Sequence, residues 1–144
     1  MVSEDKVRTI AQAFADALDG NDLDRVATLL APTCRYDLTR ASFTSEGTLV
    51  GPDAILESYR WHDARARILF DRIEYSSAVE AVEGMTAVIR FTDVLETTGE
   101  RHTYSCRQRI TVNKAGLIAL IVQEEIPTEV VAVRAFMERV GVTL

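Results

Sequence analysis

The sequence is poor in the residues that mark several specialised classes of protein. Its 144 residues include only 2 cysteines, 3 prolines and 7 glycines. The two cysteines, Cys34 and Cys106, cannot form a disulfide framework and are not at metal-ligand spacing, so we expect reduced, packed thiols. No apolar run approaches the roughly 20 residues that a membrane span requires. Glu4 and Asp5 lie where a secretory signal has basic and then apolar residues, so we expect a cytoplasmic protein with no membrane partner.

Basic residues are also in the minority. The chain has 16 lysines and arginines against 22 acidic residues, and its net charge is −6. Because phosphate binding requires a basic surface, we expect no nucleic-acid partner. The two histidines, His62 and His102, are not at metal-ligand spacing, and there is no glycine-rich phosphate loop. We therefore expect neither a metal site nor a cofactor.

Hydrophobic residues, by contrast, are abundant at 47% and follow regular patterns. In the first part of the chain, apolar residues at helical spacing predict a helix from Glu4 to Leu18 with Ser3 as its N-cap. A shorter helix follows from Leu23 to Leu30. Alternation at Cys34, Tyr36 and Leu38 then predicts a strand with one solvent-exposed face.

The remainder of the chain changes from a helical to a strand pattern. A polar, loop-like stretch from Thr39 to Leu49 precedes a third helix that begins at Gly51 and Pro52. Turn signals divide residues 68–126 into four strands, and residues 128–140 predict a closing helix. The length fits one α+β domain over residues 1–144, with a curved antiparallel sheet wrapped by N-terminal helices around an apolar pocket.

This order of elements resembles that of the NTF2-like superfamily, which includes SnoaL-like cyclases and ketosteroid isomerases. Four stretches are similar to local features of that superfamily: residues 14–24 to its helix–turn–helix opening, 30–33 to the start of its first strand, 51–55 to its third helix, and 115–118 to its last hairpin. The resemblance covers nearly the whole chain. It implies a cone-shaped sheet whose open end admits a small apolar molecule, commonly in a dimer formed through the outer sheet face.

The resemblance does not extend to the functional positions of ketosteroid isomerases. Their oxyanion-binding tyrosine would fall at Phe14, their aspartate base at Leu38, and their second oxyanion partner near Gln108. Phe14 has no hydroxyl group and Leu38 cannot accept a proton. An ordinary ketosteroid isomerase is therefore not expected.

A similarity to scytalone dehydratases over residues 31–37 is interrupted in the same way. Their helix-end aspartate matches Asp19, but their pocket tyrosines would fall at Leu18 and Leu38. One of their catalytic histidines would fall near Arg67. The pocket of this chain must therefore be predicted from its own strands.

Strand alternation predicts which side chains face the pocket. The strand after Gly84 has an apolar face interrupted only by Asp93. A tight turn at residues 98–99 would set Asp93 opposite Tyr104 and Phe91 opposite Cys106. Both strands then present their less charged face to the pocket.

The last strand is harder to orient. A bulge at Gly116 would pair Val112 with Ile118 and bring Glu124 to the pocket face. Leu117, Ala119 and Ile121 would then form an apolar outer face, from which we expect a homodimer. The alternation is ambiguous because both faces are apolar.

Two carboxylates and a phenol on an apolar wall form a possible acid–base set. The predicted catalytic residues are Asp93, Tyr104, Glu124 and His62. In this hypothesis Asp93 transfers the proton while Tyr104, and from the helical wall His62, donate hydrogen bonds to it. The predicted ligand-binding residues are Phe14, Tyr36, Leu38, Tyr59, Phe91, Cys106 and Gln108.

Two functions remain open at this point. One is the binding of a small apolar molecule with proton-transfer chemistry, such as isomerisation, cyclisation or dehydration without a cofactor. The alternative is a non-catalytic ligand-binding or dimerisation module of the same fold, which the altered family positions favour. A cavity that contains a buried carboxyl would distinguish the first from the second.

Overall fold

The computed structural model describes residues 2–144, which form helices packed on one curved sheet. The described elements, in chain order, are α1 (Glu4–Asp19), α2 (Leu23–Leu29), β1 (Leu30–Asp37), β2 (Thr48–Val50), α3 (Pro52–Leu69), β3 (Arg72–Glu83), β4 (Thr86–Thr97), β5 (Glu100–Val112), β6 (Ile118–Glu124) and α4 (Pro127–Val140). This order confirms the predicted α+β fold with its C-terminal helix. Among the described residues, no helix combines the length and the hydropathy that crossing a bilayer requires.

The sheet has the strand order β2-β1-β6-β5-β4-β3. All neighbours are antiparallel except β1 and β6, which run parallel. β1 begins at Leu30, before the predicted strand, and its pairing with β6 is irregular between Leu30 and Arg35. β2 was not predicted because its three residues, 48–50, have too short a pattern to distinguish from a loop.

α1 covers the inner face of the sheet with a continuous apolar stripe. Ser3 caps the helix as predicted, because its hydroxyl accepts a hydrogen bond from the Lys6 amide at 3.2 Å. The stripe residues Val7, Ile10 and Phe14 are at most 5% exposed and belong to the main core. Burial of this stripe holds α1 against β3 and β4.

Phe14 was predicted to bind the ligand, and the structure contradicts this. Its side chain is 0% exposed inside the core and does not line a cavity. The reason is the helical spacing: Phe14 lies in the centre of the stripe that faces the sheet. Leu18 and Asp19, one turn further on, reach the cavity instead.

The predicted register of β4 and β5 is confirmed. Asp93 pairs with Tyr104 and Phe91 pairs with Cys106. The two strands are joined by Thr98 and Gly99, which both have positive φ angles, of 51° and 76°. Such a two-residue turn matches the twist of a hairpin and fixes the alternation of both strands.

The orientation of β6 differs from the prediction, because the strand has a bulge at Ala119 that was not predicted. Val112 pairs with Ile118 as expected, but Thr111 pairs with Leu120, so Ala119 is an additional residue. After this bulge the alternation is reversed. Glu124 therefore lies on the outer face, where it forms an ion pair with Arg109 at 2.8 Å.

The same bulge changes the outer apolar surface from which the dimer was predicted. Ile121 is 0% exposed and belongs to the main core, and Leu117 packs against that core. Leu120 and Val122 take the outer positions instead, since they pair with Thr111 and the outward-facing Arg109. The outer face of β6 is thus a smaller apolar surface than the sequence predicted.

α4 packs across the end of β5 and closes one end of the curved sheet. Its residues Val133, Phe136 and Met137 form a second cluster with Phe70 and Leu95. Gly141 ends the helix with a φ angle of 78°, a left-handed conformation that glycine adopts at little cost. Several residues of this second cluster line a cavity that is described below.

The different surroundings of Phe14 and Phe91 predict different losses of stability on truncation. Phe14→Ala should lower the free energy of unfolding by about 3–5 kcal/mol, because it leaves a void in a closed core. Phe91→Ala should cost markedly less, since Phe91 already borders a cavity. Urea unfolding of both variants measures the difference. Equal losses would contradict the assignment of Phe14 to the core and Phe91 to the cavity wall.

Candidate functional site

A cavity of about 270 Å³ lies between α1, α3, the inner face of β4–β6 and the loop over residues 38–47. We call it the first chamber. It contains most of the predicted ligand-binding side chains: Tyr36, Leu38, Tyr59, Phe91, Cys106 and Gln108. Asp93, Tyr104 and His62, three of the four residues predicted to be catalytic, also line it.

A second cavity of about 340 Å³ lies beside the first, beneath α4. We call it the second chamber. Its lining is mainly apolar and includes Trp61, Leu69, Leu95, Val133 and Met137. The two chambers share five residues, namely Phe43, His62, Ala66, Asp93 and Tyr104.

Asp93 lies in the wall between the chambers, in the middle of β4. Among residues 2–144, no side chain or backbone amide donates a hydrogen bond to its carboxyl group. Burial, together with the nearby charge of Asp19, raises the pKa of Asp93 to about 7. The carboxyl can therefore gain or lose a proton near neutral pH.

Asp19 is a second carboxyl on the first chamber, at the C-terminal end of α1. Its Oδ2 accepts a hydrogen bond from Ser77 at 2.5 Å, whereas its buried Oδ1 has no partner among the described residues. Burial raises the pKa of Asp19, although the hydrogen bond from Ser77 opposes the rise. The charge of Asp19 thus disfavours the ionised form of Asp93, while the charge of Asp16 disfavours that of Asp19.

The sequence predicted that Tyr104 donates a hydrogen bond to Asp93, but in the structure it does not. Although the two residues are paired across the strands, the Tyr104 hydroxyl donates to Glu125 Oε2 at 2.6 Å. The other oxygen of Glu125 accepts the Ser42 amide at 3.0 Å. Glu125 has this position because the bulge at Ala119 turns it, rather than Glu124, toward the chamber.

His62 was predicted to face Asp93, but it is engaged elsewhere. Its Nε2 lies 2.6 Å from Glu46 Oε1. Glu46 also accepts a hydrogen bond from Ser58 at 3.0 Å. Burial opposes the ionisation of Glu46, but the hydrogen bonds from His62, Thr44 and Ser58 lower its pKa below the ordinary value.

Four polar side chains form a connected network in the first chamber. Tyr59 donates to Gln108 at 3.2 Å, and Gln108 donates to Tyr36 at 2.9 Å and to Gln123 at 3.1 Å. Tyr36 in turn donates to Gln123 at 3.2 Å. Burial raises the pKa values of both tyrosines, so these phenols remain protonated donors at physiological pH. The network can orient an oxygen-bearing group of a ligand.

Tyr75 and Asp63 also line the first chamber and were not predicted. Tyr75 is the cross-strand neighbour of Asp93 on β3. Its hydroxyl donates to Asp63 Oδ1 at 2.7 Å, and Asp63 also accepts Arg67 Nε at 3.1 Å. Alternation along β3 would have indicated Tyr75, but a contact between α3 and β3 cannot be derived from spacing.

A protein family and several solved structures are similar to this chain. The model of the SnoaL-like domain family matches residues 11–121. No curated protein sequence matches significantly.

Solved structures with the same fold have little sequence identity to the chain. TerC co-crystallised with polyporic acid has a TM-score of 0.68 at 13% identity, covering 92% of this chain and 98% of its own. An LEH-like epoxide hydrolase of M. tuberculosis has a TM-score of 0.64 at 17% identity, covering 92% of both chains. An NTF2-like protein of unknown function from Exiguobacterium sp. 255-15 has a TM-score of 0.59 at 15% identity, covering 81% of this chain and 98% of its own. With most of its length matched by the family model and its cone of strands and helices shared with these structures, the chain belongs to the SnoaL-like domain family of the NTF2-like fold.

Proposed function

We propose that this protein binds a small, mainly apolar molecule in the first chamber and moves a proton on it through Asp93. The observation that carries the proposal is the isolation of this carboxyl. It lies in a cavity wall without a hydrogen-bond donor, and burial raises its pKa to about 7. A general acid or base is most effective when its pKa lies near the working pH.

The surroundings of Asp93 supply the other functions that such a reaction requires. In the network of Tyr36, Tyr59, Gln108 and Gln123, only the side-chain NH2 group of Gln123 is not used as a donor within the network, and it can donate a hydrogen bond to a carbonyl or hydroxyl oxygen of the substrate. Asp93 then removes a proton from a neighbouring carbon and returns it at another position. In an isomerisation the proton returns to another carbon, in an aldol-type cyclisation it returns to the new hydroxyl oxygen, and in a dehydration it goes to the leaving hydroxyl group, which departs as water. None of these reactions needs a cofactor.

A non-catalytic binding module remains the alternative. It is favoured by Phe14 and Leu38, which carry no acid or base at positions where ketosteroid isomerases have functional groups. A fold of this kind also accommodates unrelated chemistries, so the family alone does not decide between the two functions. The two functions differ in one respect: only an enzyme requires the Asp93 proton.

We further propose that the protein forms a homodimer through the outer sheet face. Leu120 and Val122 are the apolar residues of β6 on that face, between the ion-paired side chains. Apolar residues on a sheet surface favour association, because contact removes them from water.

The Asp93 proposal is tested by proton exchange on small ketones in deuterated water. Asp93→Asn keeps the size of the side chain but cannot act as a general acid or base near neutral pH, so the rate of deuterium incorporation next to the carbonyl should fall about a hundredfold or more. The matched control is Asp53→Asn, an exposed aspartate of α3 that borders neither chamber. The exchange is followed by NMR on a panel of cyclic ketones.

Equal exchange rates for the unaltered protein and Asp93→Asn would contradict an enzymatic role for Asp93. If ketones at the same time protect the cavity thiol of Cys106 from modification, the protein binds such molecules without catalysis. That result would favour the non-catalytic module.

The dimer is tested by sedimentation at micromolar concentration. The unaltered chain should sediment as a dimer, and Val122→Glu should weaken association, because it introduces a charge next to Glu124 on the outer face. Thr33→Glu, a change at an exposed position of β1, is the control for added charge. A monomer of the unaltered chain would contradict the proposal.

A further inference from the structure

Phe43 is the residue where the two chambers meet. It lies in the loop over residues 38–47 and lines both the first and the second chamber. The other shared residues are fixed on regular elements: His62 and Ala66 on α3, Asp93 on β4 and Tyr104 on β5. Phe43 is thus the one shared side chain that belongs to a loop.

The position of Phe43 is set by contacts from two sides. Its ring is nearly perpendicular to that of Tyr104, with a centroid distance of 6.0 Å and an interplanar angle of 87°. On the other side, the guanidinium group of Arg134 lies 5.4 Å from the ring centroid and also donates to the Ser42 carbonyl at 3.3 Å. These contacts hold the ring between α4 and β5. None of them is part of the sheet hydrogen bonding, so the ring can move without breaking a strand.

The two chambers differ in chemistry. The first contains the phenol and amide network, which suits an oxygen atom of a ligand. The second has an apolar lining from α3, α4 and the end of β4, which suits hydrocarbon. A molecule that occupied both would therefore need one polar and one apolar end.

Each chamber alone is small for a ligand pocket. Ligand pockets usually measure about 300–1,000 Å³. The first chamber, at about 270 Å³, falls below this range, and the second, at about 340 Å³, lies at its lower limit. Joined past Phe43, they would have the volume of an ordinary pocket with Asp93 in its middle.

We infer that the two chambers form one bipartite site for an elongated molecule and that Phe43 determines which apolar ends the site accepts. The oxygen-bearing end binds in the first chamber and the hydrocarbon end passes Phe43 into the second. The inference rests on the proposed function, because it locates the reacting carbon beside Asp93, between the two ends. The substrate class is therefore a ketone or alcohol with an extended hydrocarbon chain.

Each chamber contains a natural reporter. Trp61 is the only tryptophan in the sequence and lines the second chamber, so its fluorescence reports whether that chamber is occupied. Cys106 lines the first chamber, whereas the other cysteine, Cys34, is 0% exposed. Burial raises the pKa of the Cys106 thiol to about 12, so its modification by a small thiosulfonate is slow and protection by a ligand is measured over long reaction times.

The experiment uses straight-chain methyl ketones, from methyl propyl ketone to methyl nonyl ketone, with affinities from calorimetry. All members should protect Cys106. Affinity should rise about two- to fourfold for each added methylene group, and Trp61 fluorescence should change only for the longer members.

Truncation of Phe43 tests its role in selection. Phe43→Ala should increase the affinity for a methyl ketone with a bulky cyclohexyl end about tenfold, while the affinity for methyl propyl ketone stays within about twofold. Ile68→Ala is the matched control, since Ile68 is a large apolar residue of α3 that is 77% exposed and borders neither chamber. It should change neither affinity.

The outcomes separate this inference from the proposed function. Protection of Cys106 with an affinity that stops rising after the shorter ketones, and with unchanged Trp61 fluorescence, would overturn the bipartite site but leave the role of Asp93 intact. Absence of protection by every ketone would also overturn it, as would equal effects of Phe43→Ala and Ile68→Ala. Conversely, the affinity could rise with the chain length of the ketone while Asp93→Asn catalyses proton exchange on ketones as fast as the unaltered protein. That result would support the bipartite site and contradict catalysis by Asp93.

Discussion

The desolvation of one carboxyl group, that of Asp93, is the physical constraint around which the site is arranged. The other carboxyls that border the first chamber have hydrogen-bond donors that stabilise their charge. Glu125 is bound by Tyr104, Asp63 by Tyr75 and Asp19 by Ser77. Asp93 has no such donor among the described residues, and the nearby Asp19 adds repulsion. The neutral form of Asp93 is therefore favoured far above the pH at which an exposed aspartate ionises.

This arrangement has a consequence for stability. The pKa of Asp93 is raised from 3.8 to about 7 on folding, so its contribution to stability is fully present below the lower value and is lost as the pH rises through the higher one. Above neutral pH, the ionised carboxyl costs on the order of 4 kcal/mol. The core beneath α1 must offset that cost. A cavity carboxyl of this kind is more readily explained by a function than by folding, because an asparagine would fit the same position without the loss.

Much of the site could be predicted from the sequence, because β4 and β5 alternate clearly and share a two-residue turn. The facing pairs Asp93–Tyr104 and Phe91–Cys106 follow from these two facts. β6 was not predictable in the same way. Residues 117–122 are all apolar, so the sequence has no polar contrast from which the position of a bulge could be derived. Because the bulge at Ala119 was not predicted, Glu124 rather than Glu125 was expected to face the chamber. For the same reason, Ile121 was assigned to the outer face although it faces the core.

Contacts between elements distant in the sequence account for the other differences. The hydrogen bonds of Asp63 with Tyr75 and of His62 with Glu46 join α3 to a strand and to a loop. Neither pair has a spacing that predicts it. The overall fold was more accessible, because the order of helices and strands and their apolar faces are local properties of the sequence. The chemistry of the site depends on tertiary geometry and had to be observed.

The central claim is that Asp93 exchanges its proton near neutral pH, and a titration followed by carbon NMR tests it most directly. Protein labelled at the aspartate carboxyl carbons should give one resonance that is absent from Asp93→Asn. We expect this resonance to titrate with a midpoint near 7. A midpoint near 3.8, the ordinary value for an aspartate, would contradict the account, because the carboxyl would then be ionised under all physiological conditions.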